Sequence, residues 1–152
     1  MIPIREAIET GAWLTAEYNS YDDDAVSFRV QLTDFSKIDL AAVDDSSALR
    51  FGIDSNIWRL GLEIVNLCKK EIKFTLVEPQ LAIVDQDGYE FPLFEDDHLR
   101  YYSTYATQSG MKAFYGAMFP PKIKRSGAYP FELPDDVEEL FLLIKDGTLR
   151  EA

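Results

Sequence analysis

The fold of this chain is decided by residues 57–67, which read IWRLGLEIVNL. Every second side chain in most of this stretch is apolar and large: Trp58, Leu60, Leu62 and Ile64. Arg59, Gly61 and Glu63 stand between them. A repeat of two residues is that of a β-strand with one face buried and the other in water. The stretch therefore predicts a half-buried strand of an antiparallel sheet.

The same alternation recurs on both sides of this strand. Residues 26–32 read VSFRVQL, and residues 14–18 predict a partner strand that reaches them through the polar turn NSYDDD. Further strands are predicted from Ile72, Phe74 and Leu76, and from residues 81–84, 111–119 and 140–144. The chain is therefore expected to consist mainly of short strands.

A hairpin and two short helices complete the predicted elements. The sequence Asp85-Gln86-Asp87-Gly88 separates residues 81–84 from the alternating Tyr89, Phe91 and Leu93. Asp-Gly favours a tight turn because it tolerates positive φ. Residues 3–10 predict a helix that ends at Gly11, and residues 39–44 predict a second one.

The predicted elements favour one fold class. Eight or nine strands at a spacing of about 8 to 12 residues, with little helix, predict an antiparallel immunoglobulin-like β-sandwich. An up-and-down β-barrel is the alternative, because alternation does not show which strands pair. No repeat or Gly/Ser/Pro linker divides the sequence, so residues 1–152 are expected to form a single domain.

The formal charge of the chain is −12, and the acidic residues are concentrated near both ends. Residues 1–48 hold three basic and ten acidic residues, residues 49–127 hold ten of each, and residues 128–152 hold two basic and seven acidic residues. An acidic field repels phosphate groups, so nucleic acid is not an expected partner. A basic protein partner is compatible with this charge.

The sequence also indicates where in the cell the protein is expected to be located. It holds no apolar run of about 18 residues, so we expect no membrane span. Its first residues, MIPIREAIETGAW, lack the apolar core of a secretory signal, and the lone Cys68 cannot form an intramolecular disulfide. These features predict a cytoplasmic protein. An envelope location is the alternative if an upstream signal has been removed.

From about residue 49 to residue 146, four features carry a likeness to a known family: LGLEIVNL, IKFTLVEPQLAIVD, the hairpin DQDGYEF, and GAYPFELPDDVEELFLLI. Their order resembles bacterial immunoglobulin-like β-sandwich domains of unknown function, found in small lipoproteins and other envelope proteins. In that family too, a phenylalanine-rich strand and a Pro-Asp turn precede a final hydrophobic strand. The resemblance implies a sandwich with a binding or structural role and carries over no catalytic residue. The first 48 residues have no counterpart in it.

Few residues of the sequence are suited to catalysis. His98 is the lone histidine, and no GxSxG motif, phosphate loop or dinucleotide fingerprint occurs. Asp96, Asp97 and His98 stand together and would serve a metal-dependent hydrolase, which is one alternative function. The acidic residues at 85 and 87 are explained by the hairpin without a metal. We therefore expect a protein that is not an enzyme and holds no metal or cofactor.

Two smaller features have simple structural interpretations. Cys68, beside Lys69 and Lys70, is interpreted as a small residue at a strand end rather than a reactive thiol. Lys122, Lys124 and Arg125 form a basic cluster that predicts a solvated loop. If this cluster binds anything, the global charge favours an acidic segment of a partner over nucleic acid.

Residues 100–116, RYYSTYATQSGMKAFYG, have the composition of an adaptable protein-binding loop. The alternative is that their rings pack inside the sandwich. The residues predicted to contact a protein partner are Arg100, Tyr101, Tyr102, Tyr105, Met111 and Tyr115.

The leading functional hypothesis is a non-enzymatic protein-binding module that presents this tyrosine-rich segment. An acidic inhibitor or immunity-type protein, which neutralises a basic partner, is the second hypothesis. A homodimer through strand edges is compatible with the fold.

Overall fold

The computed structural model describes residues 1–19, 24–37, 56–73, 80–92 and 118–152. Within them one helix, α1, spans Ile4–Thr10, and it is too short to cross a membrane. Eleven strands are described: β1 Ile2–Pro3, β2 Trp13–Asn19, β3 Ala25–Lys37, β4 Asn56–Asn66, β5 Ile72–Lys73, β6 Leu81–Asp85, β7 Glu90–Pro92, β8 Met118–Phe119, β9 Lys124–Leu133, β10 Leu140–Ile144 and β11 Gly147–Glu151.

These strands pair antiparallel in two main sheets and one small one. The five-stranded sheet has the order β11-β2-β3-β4-β9, and the four-stranded sheet has the order β1-β10-β6-β7. β5 and β8 pair with each other. Consecutive strands β10 and β11 belong to different sheets, so the chain crosses from one layer to the other at Lys145 and Asp146.

The hydrophobic core contains buried side chains from both main sheets. Leu14, Phe28, Leu60 and Tyr129 come from the five-stranded sheet, and Leu81, Ile83, Leu142 and Ile144 come from the four-stranded one. α1 adds Ile4 and Ala7. Because two separate sheets bury their apolar faces together, the fold is an antiparallel immunoglobulin-like β-sandwich. The barrel alternative is wrong.

Most strands predicted from alternation are confirmed where the structure describes them. Residues 57–66 lie in β4, residues 26–32 in β3, residues 14–18 in β2, residues 81–84 in β6 and residues 140–144 in β10. The predicted count of eight or nine strands is exceeded because three of the described strands have only two residues. Residues 74–76, 93 and 111–117 lie outside the described residues.

The helix predicted over residues 3–10 is confirmed as α1. Gly11 ends it with a φ of 65°, and the Gly11 N–H donates to the Ala7 carbonyl at 3.1 Å. A left-handed residue at this position is the usual way to satisfy a last helical carbonyl. The helix predicted over residues 39–44 lies outside the described residues.

The prediction that the basic cluster is a loop is wrong for two of its three members. Lys124 and Arg125 begin β9 and pair with Val65 and Ile64 of β4. Both side chains are nevertheless exposed, as is that of Lys122. Alternation gave no sign of a strand here because its first three residues, Lys-Arg-Ser, are all polar.

Candidate functional site

A β-bulge near the end of β3 shapes the candidate site. The pairing with β4 shifts between Leu32 and Asp34, which makes Thr33 an extra residue. Without the bulge, strict alternation after Leu32 would direct Asp34 into the core. The extra residue reverses the phase, so Asp34 faces outward and Phe35 faces inward.

Asp34 is fixed on the outer face of the sheet by Arg59. The Arg59 guanidinium donates to Asp34 Oδ2 from Nη2 at 2.7 Å and from Nε at 3.1 Å. It also donates to Ser36 Oγ at 2.7 Å, and the Ser36 hydroxyl donates to Asp34 Oδ2 at 2.9 Å. Only 13% of the Arg59 side chain is exposed. This charge-assisted network holds β3 against β4 directly beside the bulge.

On the inner face, Phe35 stacks on Trp58. The ring centroids are 4.9 Å apart and the ring planes differ by 18°. Both rings are half-buried against the core, so part of their aromatic surface stays accessible. Such a pair contributes about 0.5 to 1.5 kcal/mol beyond its buried area.

The two rings line a cleft of about 560 Å³ at one end of the sandwich. The start of α1 and the residues that lead into β10 supply the other walls. The apolar lining residues are Pro3, Ile4, Phe35, Trp58, Pro134, Val137, Leu140 and Phe141. A volume between about 300 and 1,000 Å³ and a mainly apolar, aromatic lining are typical of binding pockets.

Charged side chains surround the mouth of this cleft. Four are carboxylates, Glu6, Asp135, Glu138 and Glu139, and two are cations, Arg5 and Lys37. All six residues are exposed. Four negative and two positive charges leave a formal sum of −2, to which the overall charge of −12 adds. The field at the cleft therefore favours a cationic ligand.

The acidic side of the rim is anchored to the hairpin between β6 and β7. Gln86 Oε1 accepts the backbone N–H of Glu138 at 3.4 Å and that of Glu139 at 3.3 Å. This contact joins the segment before β10 to a turn that is distant in sequence. The two carboxylates are thus held on a tethered segment rather than on a free loop.

Comparison with solved structures finds a likeness in fold. The chain is similar to MPT63, a secreted protein from Mycobacterium tuberculosis whose crystal structure is known. The TM-score is 0.52 at 10% identity, over 91% of this chain and 92% of MPT63. Neither a family model nor a curated protein matches the sequence. At this identity the likeness to MPT63 concerns the sandwich fold alone.

The residues predicted to contact a partner all lie outside the described residues: Arg100, Tyr101, Tyr102, Tyr105, Met111 and Tyr115. The same is true of the hydrolase alternative, Asp96, Asp97 and His98. Both hypotheses therefore stay predictions. Within the described ranges, no group of three or more His, Cys, Asp or Glu residues is arranged to hold a metal ion.

The hairpin predicted at residues 85–88 is confirmed. Asp85 Oδ1 accepts the backbone N–H of Asp87 and that of Tyr89, each at 2.9 Å. Gly88 has a φ of 85°, the positive value that the turn requires. The Asp85 carboxylate is therefore engaged by the backbone of its own turn.

Cys68 is half-buried in the turn that follows β4. Its Sγ accepts the backbone N–H of Ser27 at 3.3 Å and lies 3.6 Å from the Ser27 carbonyl oxygen. These contacts place the thiol against the start of β3. The arrangement agrees with the interpretation of Cys68 as a small residue at a strand end.

The cleft was not predicted from the sequence. One signal was present, because the apolar phase of β3 slips from even positions up to Leu32 to the odd position of Phe35. That slip could have indicated the bulge. No sequence signal indicated that α1, the end of β3 and residues 134–141 lie together, since their proximity depends on which strands pair.

Proposed function

We propose that this chain is a non-enzymatic protein-binding module whose cleft takes a basic and partly apolar segment of its partner. The observation that carries this proposal is the stacked Phe35 and Trp58 pair inside a cleft with four carboxylates at its mouth. An aromatic floor below an acidic rim is suited to one kind of side chain, a cation on a long aliphatic stem.

An arginine or lysine of the partner would use both parts of the cleft. Its aliphatic stem would lie on the apolar lining, and its charged group would reach the ring faces and the carboxylates of Glu138 and Glu139. A neighbouring apolar side chain of the partner would fill the remaining volume. An anionic segment would meet repulsion at the same rim.

The second candidate, an acidic inhibitor of a basic protein, is favoured by the overall charge of −12. In that case the partner would be attracted by a broad acidic surface and not by the cleft alone. The two candidate functions differ in the side chains on which binding depends. Inhibition by charge requires many carboxylates, whereas cleft binding requires Trp58.

The proposal also includes a role for the tyrosine-rich segment and a location for the protein. Tyr101 to Tyr115 would extend the contact surface, and the likeness of residues 49–146 to envelope sandwich domains supports a binding role. MPT63 is a secreted protein, which agrees better with the envelope alternative than with the cytoplasmic expectation. Fractionation of the native host decides between the two locations.

The proposal is tested by panning phage-displayed random peptides on the immobilised full chain. We expect enrichment of Lys or Arg next to aromatic or aliphatic residues. A synthetic peptide with the enriched sequence should bind at least about tenfold more weakly to Trp58→Leu, because the aromatic floor is lost. Glu138→Gln with Glu139→Gln should weaken binding by about threefold to tenfold, and added salt should do the same.

The matched control is Glu71→Gln with Glu151→Gln, which removes two exposed carboxylates away from the cleft. Its affinity should stay near that of the unmodified chain. Equal losses in both double variants would favour the inhibitor candidate, whose binding depends on total charge. Enriched peptides that bind Trp58→Leu as tightly as the unmodified chain would rule out the cleft, provided that thermal melting shows a folded variant.

A further inference from the structure

The open edges of the two main sheets differ in how well they are protected. Exposed edges invite pairing with other chains, and proteins suppress this with short strands, prolines, charged side chains or covering segments. β1 has two residues and contains Pro3, and β7 has three residues and contains Pro92. β9 contains Pro130, and its residues 127–131 are buried.

β11 has neither a proline nor a covering strand, as far as the chain is described, and its charged residues are Arg150 and Glu151. It has five residues, GTLRE, with no proline. Four of the five are exposed, and Leu149 is half-buried against the core. Its partner in the sheet, β2, occupies one side of the strand. The other side is the open edge of the five-stranded sheet.

The direction of the backbone groups in β11 follows from one hydrogen bond. The Ala152 N–H donates to the Trp13 carbonyl at 2.9 Å, in the register that pairs Arg150 with Thr15. Positions that bond to the neighbouring strand alternate in an antiparallel ladder. Positions 148 and 150 therefore bond to β2, while Gly147, Leu149 and Glu151 direct their N–H and C=O groups to the open side.

We infer that β11 is a dimerisation edge, at which two copies of this chain pair antiparallel about a twofold axis at Leu149. In this register Gly147 lies opposite Glu151 of the second copy, and Thr148 lies opposite Arg150. No two like charges face each other. The pairing forms about six backbone hydrogen bonds and joins the two five-stranded sheets into one. The two Leu149 side chains meet on the core side.

The charge of the protein gives this dimer a distinctive salt response. Each copy carries −12, so the two copies repel each other in dilute buffer. Salt screens that repulsion and leaves the backbone hydrogen bonds in place. The dimer is therefore expected to become tighter as salt is added. An interface built on ion pairs would respond in the opposite direction.

The test is sedimentation equilibrium of the full chain from about 10 µM to about 1 mM, at low and high salt. We expect a concentration-dependent dimer that tightens with salt. Glu151→Pro removes an N–H that points to the open side, and it should weaken the dimer at least about tenfold with little change in melting temperature. The matched control Glu151→Gln keeps that N–H and should dimerise at least as well as the unmodified chain.

A second variant keeps the test independent of the proline. Leu149→Cys in a Cys68→Ser background places two cysteines opposite each other on the twofold axis, and mild oxidation should link them. Thr33→Cys in the same background, at an exposed position away from this edge, should not be linked. A monomer over the whole concentration range, a Glu151→Pro dimer as tight as the unmodified one, or equal linking of both cysteine variants would overturn the inference.

Discussion

At the scale of single residues, Asn66 shows how one polar side chain can fix one end of the sandwich. It is fully buried, and its Nδ2 donates to the carbonyls of Lys70 at 2.8 Å and Phe119 at 2.7 Å. Its Oδ1 accepts the Cys68 N–H at 2.7 Å. The side chain thus ties the turn after β4 to β8, and each of its polar atoms has a partner.

Replacement of Asn66 by alanine is expected to be strongly destabilising. It removes all three hydrogen bonds of this buried side chain, to the Cys68 N–H and to the carbonyls of Lys70 and Phe119, and we expect a loss of about 2 to 4 kcal/mol in the free energy of unfolding. Urea denaturation measures this loss. Asn19→Ala, at an exposed site at the end of β2, is the control and should change stability by less than about 0.5 kcal/mol. Similar losses for both variants would show that the buried network adds little.

At the scale of elements, Gly147 at the start of β11 and Gly88 in the hairpin turn are required for different reasons. A Cβ at Gly147 would overlap the Glu17 carbonyl oxygen and would lie 2.7 Å from Tyr18 Cβ and 2.9 Å from Ile144 Cγ2. A Cβ at Gly88 would meet no atom within 4 Å, but its φ of 85° strains any other residue. The first glycine allows β11 to approach β2, and the second allows the turn between β6 and β7 to close.

We therefore expect Gly147→Ala to destabilise the protein more than Gly88→Ala does. The overlap at Gly147 should cost about 1 to 3 kcal/mol and should loosen β11 from β2, while the strain at Gly88 should cost about 1 kcal/mol. Urea denaturation gives the ranking, and amide hydrogen exchange locates the loosened strand. Faster exchange in β2 for Gly88→Ala, but not for Gly147→Ala, would contradict this account.

How well the sequence predicted each element depended on its burial pattern. β4 was predicted from alternation because only one of its faces is rich in buried apolar residues, such as Leu60 and Leu62. The centre of β9 is buried on both faces and shows no alternation, and β11 has Leu149 as its single large apolar residue. The cleft could not be predicted, since its walls are distant in sequence. The shift of the apolar positions at Phe35 can be interpreted as a bulge only once the pairing with β4 is known.

At the scale of the whole molecule, charged residues of opposite sign lie near the two ends of β9. β9 begins at the exposed Lys124 and Arg125 and ends shortly before four acidic residues, Asp135, Asp136, Glu138 and Glu139. Its ten residues extend over about 30 Å, which exceeds the Debye length of about 8 Å at physiological salt. The two ends therefore act as separate electrostatic surfaces. The proposed basic partner would be attracted to the end that holds the cleft.

The same charge distribution predicts that salt stabilises the folded monomer. The described ion pairs other than Arg59 with Asp34 lie at the surface with both side chains partly exposed, so each contributes little and screening them costs little. We expect repulsion within a chain of charge −12 to outweigh these attractions, so that its screening raises the free energy of unfolding on the order of 1 kcal/mol. Urea denaturation at low and high sodium chloride, at about 1 µM to avoid dimers, measures the effect.

A variant with less acidic charge separates this repulsion from other effects of salt. Asp136→Asn, Glu138→Gln and Glu139→Gln together reduce the negative charge by three at exposed positions near the cleft. Because these carboxylates repel one another, the variant should be more stable than the unmodified chain in low salt and should gain less from added salt. If salt lowered the stability of the unmodified chain, attractive ion pairs would outweigh repulsion, and the acidic end would have to be held together by contacts with cationic side chains.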